Sequence, residues 1–164
     1  MAIRRIPLTD LSGKVALVTG SSRGIGAGIA EALATHGASV GVNYATGQKE
    51  ADEVVARIVA AGGRAIPVQA DVSKAADVDR MVEQVSEALG PISIVVNNAG
   101  LTDVHRPWQT ITEDDWDRVM DVNLKSCYLT LRATYPTMKE AGWGRIINIS
   151  SVTFHLGMKN LLHY

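Results

Sequence analysis

The stretch Val15-Ala-Leu-Val-Thr-Gly-Ser-Ser-Arg-Gly-Ile-Gly-Ala-Gly28 leaves this chain few folds to adopt. The unbroken apolar run Val15 to Val18 reads as a strand buried on both faces, which belongs in a parallel sheet. A turn carrying Gly20, Gly24 and Gly26 follows, then an amphipathic run with Ile29, Ala30 and Leu33 at helical spacing. In a strand–glycine turn–helix unit, backbone N–H groups at the helix start attract phosphate, and glycines remove the Cβ atoms that would keep it away. The spacing G-x-x-x-G-x-G is not the G-x-G-x-x-G fingerprint. No Gly-Lys-Ser/Thr follows, which argues against a nucleoside triphosphatase. A tight turn between two core elements would look the same on this stretch alone, so the rest of the chain has to decide.

The rest repeats the alternation. The pattern predicts a first strand over Lys14–Gly20 and a first helix over Gly24–His36, with Gly37 at its C-terminal cap. A second strand is expected over Ser39–Tyr44. The helix Gln48–Ala61 places Ala51, Val54, Val55 and Ile58 on one face and ends at Gly62-Gly63. A third strand, Arg64–Ala70, is expected to be short because Pro67 cannot donate to a ladder. The helix Lys74–Leu89 stops at Gly90-Pro91, and a fourth strand covers Ile92–Val96. After a loop, Thr112 reads as an N-cap with Asp115 reaching back to it, so the acids there serve capping and the helix dipole rather than acid chemistry. The helical pattern is expected to run on past Asn123 to about Ala141, with Pro136 kinking it or marking its last turns, before Gly142 and Gly144 break it. Arg145–Ile149 is a fifth strand and Ser150–Tyr164 a loop. Strands apolar on both faces, alternating with helices, imply an α/β doubly wound, Rossmann-like parallel sheet of order 3-2-1-4-5. A ligand belongs at the strand C-terminal ends, which carry Gly20, Asn43, Asp71, Asn97 and Ser150. Residues 1–13 read as a tail and residues 14–164 as one dinucleotide-binding domain.

Composition narrows the partners. A net charge of −1 gives no electrostatic pull toward nucleic acid. No apolar run approaches the ~20 residues of a membrane span, and Arg4 and Arg5 are not followed by the apolar core of a secretory signal. Cys127 is the only cysteine, so no intramolecular disulfide forms and a cytoplasmic location is expected. His36, His105, His155 and His163 show no metal-ligand spacing and are expected on the surface or in loops, with no metal.

Several local motifs now line up, and together the chain resembles the short-chain dehydrogenases/reductases, nearest their 3-oxoacyl-thioester reductases and sugar or polyol dehydrogenases. Thr19-Gly-Ser-Ser-Arg-Gly-Ile-Gly26 matches that family's cofactor turn, Asp71-Val72 its adenine-flanking pair and Asn97-Asn-Ala-Gly100 its nicotinamide-side motif. Asn123, within Asp121-Val-Asn-Leu124, matches the tetrad asparagine. Ser151 matches the catalytic serine, and Tyr164, thirteen positions later, the catalytic tyrosine. The resemblance implies Gly20, Ser22, Arg23, Gly24, Ile25 and Gly26 around the phosphates, Asn98, Ala99 and Gly100 on the nicotinamide side, and Asn123 holding a water in a proton relay. It also implies a homo-oligomeric parent acting on a small carbonyl or alcohol.

These residue types suit the chemistry. Hydride addition to a carbonyl builds negative charge on oxygen; a serine hydroxyl stabilises it and a tyrosine delivers the proton. NAD sites place an acid at the end of the second strand to hold the ribose 2′-hydroxyl, where this chain has Asn43. Arg23 is suited to a 2′-phosphate, so NADP is expected over NAD. The family's motif is Tyr-x-x-x-Lys, and the sequence stops at Tyr164. The expectation is therefore a 164-residue piece that binds NADPH but fails at proton transfer, with an uncovered fifth strand. The alternative is an NADP-binding module, or a truncated fragment, that does not turn over.

Overall fold

The computed structural model describes residues 10–101 and 105–164; the greater part of the expected tail, residues 1–9, lies outside the described residues. The strands are β1 (Val15–Val18), β2 (Ser39–Tyr44), β3 (Arg64–Gln69), β4 (Ile94–Asn97) and β5 (Arg145–Asn148). All neighbours pair in parallel, in the order β3-β2-β1-β4-β5. The helices are α1 (Gly24–Thr35), α2 (Gln48–Ala60), α3 (Ala75–Leu89), α4 (Glu113–Met120), α5 (Ser126–Glu140) and α6 (Thr153–Leu156). Most boundaries fall within one or two residues of the expected ones, the ordinary fraying of element ends.

Period-two alternation divides the sheet between two cores. Ala16, Val18, Val40, Val42 and Val96 face one core, where Ala27 and Ala30 of α1 and Val54 and Ile58 of α2 meet them. Val15, Leu17 and Val95 face the other, with Val78, Met81 and Val85 of α3 and Leu129 and Met138 of α5. Leu11 packs on the first core and its N–H donates to His36 O at 2.8 Å, so the end of the expected tail is tied to the fold. Near the start of β5, Lys14 and Arg145 lie over the Trp143 ring, at 4.1 and 4.8 Å from its centroid.

Three expectations need correction, and the long second-half helix carries one local departure. Apolar burial on both faces holds for β1 and β4 and for all of β2 but Ser39; the edge strand β3 is only partly buried and all of β5 is exposed. Pro67 does not shorten β3, which pairs with β2 along its whole length, because an edge strand has one side with no ladder to lose. The long second-half helix is not uniform: Asp121–Lys125 is π-helical between α4 and α5. Finally, Ser150–Tyr164 is not all loop. Thr153–Leu156 forms one helical turn, begun by Thr153 N–H donating to Ser151 Oγ (3.2 Å) and ended by Gly157 in the left-handed region. Pro136 lies inside α5, in its second half, where its missing N–H leaves Arg132 O without an i→i−4 donor.

Candidate cofactor and active site

The strand C-terminal ends open on a cleft of about 1250 Å³. Of the residues singled out in the sequence, Gly20, Ser22, Arg23, Ile25, Gly26, Asn43, Asp71, Val72, Asn98, Ala99, Gly100, Asn123, Ser151 and Tyr164 line it. Gly24 does not; its φ of 58° starts α1 from a conformation that disfavours other residues.

The glycine turn is built by close approach. A Cβ on Gly26 would stand 2.5 Å from Asn98 Nδ2 and 2.6 Å from Gly20 O, and one on Gly20 would stand 2.9 Å from Ala99 Cα. Those short gaps let the turn after β1 and the turn after β4 lock together. Asn98 Nδ2 donates to Thr19 O (2.9 Å) and Gly20 O (3.1 Å), while Thr19 Oγ1 accepts the N–H groups of Asn98 and Ala99, both at 3.0 Å. Thr19 is not among the expected site residues. Its signal is its place between an apolar strand and the first glycine.

Asn43 works differently from an acid at this position. Its side chain is buried; Oδ1 accepts Gly20 N–H at 3.0 Å and Nδ2 donates to Val68 O and Ala70 O at 3.3 and 3.2 Å. The amide fixes the glycine turn and has no hydrogen left for a ribose. Asp71 Oδ1 accepts both the N–H (3.0 Å) and the hydroxyl (2.6 Å) of Ser73. Partial burial pushes its carboxyl up, but the two Ser73 bonds and the Lys74 ammonium outweigh that and hold it below the usual carboxylate range.

The start of α1 shares its lack of a side-chain cap with α2 and α3 but, unlike them, has no acid in its first turn. Its N-cap is Arg23, no side chain caps it, and its first turn has no acid. The N–H groups of a helix start are orphan donors that attract anions, and here they open on the cleft beside Ser22 and the Arg23 guanidinium.

On the other wall, Asn123 sits in the π-helical segment. Its Oδ1 accepts Leu101 N–H at 2.7 Å and its Nδ2 donates to Leu101 O at 3.2 Å. Both ends of the amide thus grip the loop after β4. Ser151 Oγ accepts the Thr153 N–H and, at 2.9 Å, the Thr153 hydroxyl, which leaves the serine's own O–H free to donate. Tyr164 stands on the same cleft, partly exposed. His163 beside it is buried, against the expectation of a surface histidine, and neither ring nitrogen has a hydrogen-bond partner among the described residues. Among those residues no cluster of His, Cys, Asp and Glu is arranged to hold a metal.

The profile of the family described as short chain dehydrogenase matches residues 14–164. The chain belongs to that family. It is 42% identical over 147 residues to a hydroxynaphthalene reductase-like protein of Metarhizium majus, covering 90% of this chain and 54% of the relative. A 3-oxoacyl-[acyl-carrier-protein] reductase of Synechocystis is 43% identical over 157 residues, 96% of this chain and 63% of that protein. A metagenomic short-chain oxidoreductase solved in complex with NADP superposes with a TM-score of 0.81 at 43% identity, over 86% of this chain and 63% of that one. The chain thus spans little more than half the length of the first of these relatives. Its fold and its oxidoreductase family are shared with them. No helix in the described residues is long and apolar enough to cross a membrane.

Proposed function

We propose that the protein is an NADP(H)-dependent oxidoreductase acting between a carbonyl and a secondary alcohol, with 3-oxoacyl thioesters and sugars or polyols as the first substrate classes to try. One observation carries this: the uncapped, acid-free start of α1, with Arg23 at its cap, opens on the same cleft as Ser151 and Tyr164. The donor set fits a dinucleotide bearing an extra phosphate. The α1 N–H groups and Ser22 would hold the diphosphate, with Gly20 and Gly26 keeping the turn closed. Arg23 would pair with the 2′-phosphate, and no acid stands at Asn43 to repel it. Asp71 and Val72 would flank the adenine, and Asn98, Ala99 and Gly100 the nicotinamide.

When bound, the cofactor supplies a hydride to the carbonyl carbon. The chain's residues manage the oxygen. Ser151, its lone pairs taken up by Thr153, donates its hydroxyl hydrogen to the oxygen on which charge builds. Tyr164 gives its phenolic proton to that oxygen, completing the alcohol. Asn123 holds Leu101, and with it the loop that forms the nicotinamide wall. The lone half-buried cysteine supports a cytoplasmic setting. A homo-oligomer is supported by the exposed apolar side chains Leu124, Tyr128, Leu131 and Tyr135, spaced along one helical face.

The test is to measure NADPH binding by this chain and, with the chain extended through the Tyr-x-x-x-Lys motif and the remaining strands, NADPH-dependent reduction of a ketone and 3-oxoacyl panel, each for the wild type, Ser151→Ala and Tyr164→Phe. Binding retained and reduction lost in both variants supports the assignment. A folded protein that binds neither NADPH nor NADP⁺ would overturn it.

A further inference from the structure

Arginines on this molecule have protein partners, with two exceptions in the described residues. Arg57 pairs with Glu31, Arg80 with Asp77, Arg106 with Asp115 and Arg132 with Asp79. Arg64 donates to Ala88 O, and Arg145 donates to Gly144 O while stacking on Trp143. Arg23 and Arg118 have no such partner among the described residues, and both line the same cleft. Arg23 borders the start of α1, where the cofactor phosphates belong. Arg118 lies on α4, five positions before Asn123, on the wall that carries the chemistry.

Its isolation is informative because partners are at hand. Asp114 stands four positions earlier on the same helix, the spacing at which acid and arginine pair readily, yet no such pair forms. Asp121, three positions later, is taken by Lys125 at 2.6 Å. Arg118 lines the cleft instead, and the same lining includes the apolar residues Leu101, Val122, Leu161 and Leu162. A planar, permanently charged fork beside an apolar surface is suited to an anion with a hydrocarbon body.

We propose that Arg118 is a specificity-determining residue: the carbonyl substrate carries a carboxylate or phosphate that Arg118 binds, while its apolar part lies on the Leu101–Val122 wall. This rests on the reading of the cleft as a carbonyl oxidoreductase site. It adds that the substrate is anionic.

The experiment reads binding, so it does not depend on turnover. The protein, saturated with NADP⁺, is titrated with pyruvate, acetoacetate and levulinate, each against its methyl ester; dihydroxyacetone phosphate against dihydroxyacetone distinguishes phosphate from carboxylate. The expected result is that at least one anion binds about tenfold tighter than its neutral counterpart, the effect of one exposed charge-assisted contact. Arg118→Met should remove that preference while leaving NADP⁺ affinity and ester affinity unchanged, and Arg118→Lys should keep part of it. No anion preference in the wild type overturns the proposal. So does a preference that survives in Arg118→Met, or an equal loss of acid and ester. If NADP⁺ itself does not bind, the oxidoreductase reading fails, and the same titrations on the protein alone still decide whether Arg118 selects an anion.

Discussion

Two helices of this molecule begin in opposite ways. α4 closes its own N-terminus: Thr112 Oγ1 accepts Asp115 N–H at 3.1 Å, Asp115 reaches back to Thr112 N–H, also at 3.1 Å, and three acids occupy the first turn. α1 has neither cap nor acid, and an arginine stands where a capping side chain would be. Both helix starts carry the same orphan N–H groups and the same positive dipole end. One is satisfied by its own sequence. The other is left open toward a cleft, and its turn is held rigid by neighbours rather than by a cap. Since α2 and α3 also lack a side-chain cap, the missing cap alone is no mark of function; what sets α1 apart from them is an acid-free first turn that opens on the cleft.

The largest effect should come from filling the turn before α1. Gly26→Val places carbon within 2.6 Å of Gly20 O and against Asn98 Nδ2. It should cost about 3 kcal/mol, the upper range for overpacking, and remove measurable NADPH binding, read by thermal unfolding and fluorescence titration. Asn43→Ala should follow, at about 2 kcal/mol, because Gly20 N–H, Val68 O and Ala70 O lose their buried partner; NADPH affinity should fall with it. Thr112→Ala should cost about 1 kcal/mol, an ordinary loss of cap, and leave NADPH affinity untouched. A Thr112→Ala protein with impaired cofactor binding would break the contrast between the two helix starts.

The smallest effect is a pH dependence confined to α4. The Thr112 hydroxyl, then its N–H, hold the Asp115 carboxyl below the ordinary carboxylate range against a small opposing push from burial, and Arg106 adds to the lowering. A carboxyl lowered on folding stabilises above its unfolded value, and that contribution disappears as pH falls through the folded value. The difference in melting temperature between the wild type and Thr112→Ala should therefore be full at neutral pH and narrow once the pH drops below the carboxylate range.

Much of this is legible in the sequence because it is written in local pattern. The strand order follows from apolar runs separated by glycine-marked turns, and the α4 box from Thr112 and Asp115 three apart. What escapes the sequence depends on contacts across the fold. The residues around Asn123 continue an ordinary helical period, so nothing local announces the π-helical segment. Its asparagine is bound to Leu101, 22 positions upstream. Asn43 reads as the absence of an acid, whereas its burial makes it the clamp of a turn 23 positions away. Thr19 escapes notice for the same reason, its partners lying on the turn after β4. The helical turn at Thr153 is a local feature that the pattern hides: Ser151, Thr153 and Gly157 supply a start and a stop that a short, mixed stretch conceals.

The central claim is that the open start of α1 with Arg23 selects a dinucleotide carrying a 2′-phosphate. Calorimetric titration of NADPH and NADH into the wild type and Arg23→Ala tests it most directly. The wild type should prefer NADPH by about tenfold or more, the worth of one charge-assisted pair, and Arg23→Ala should abolish the preference while NADH binding barely changes. Equal or tighter NADH binding by the wild type, or an undiminished NADPH preference in Arg23→Ala, would contradict it.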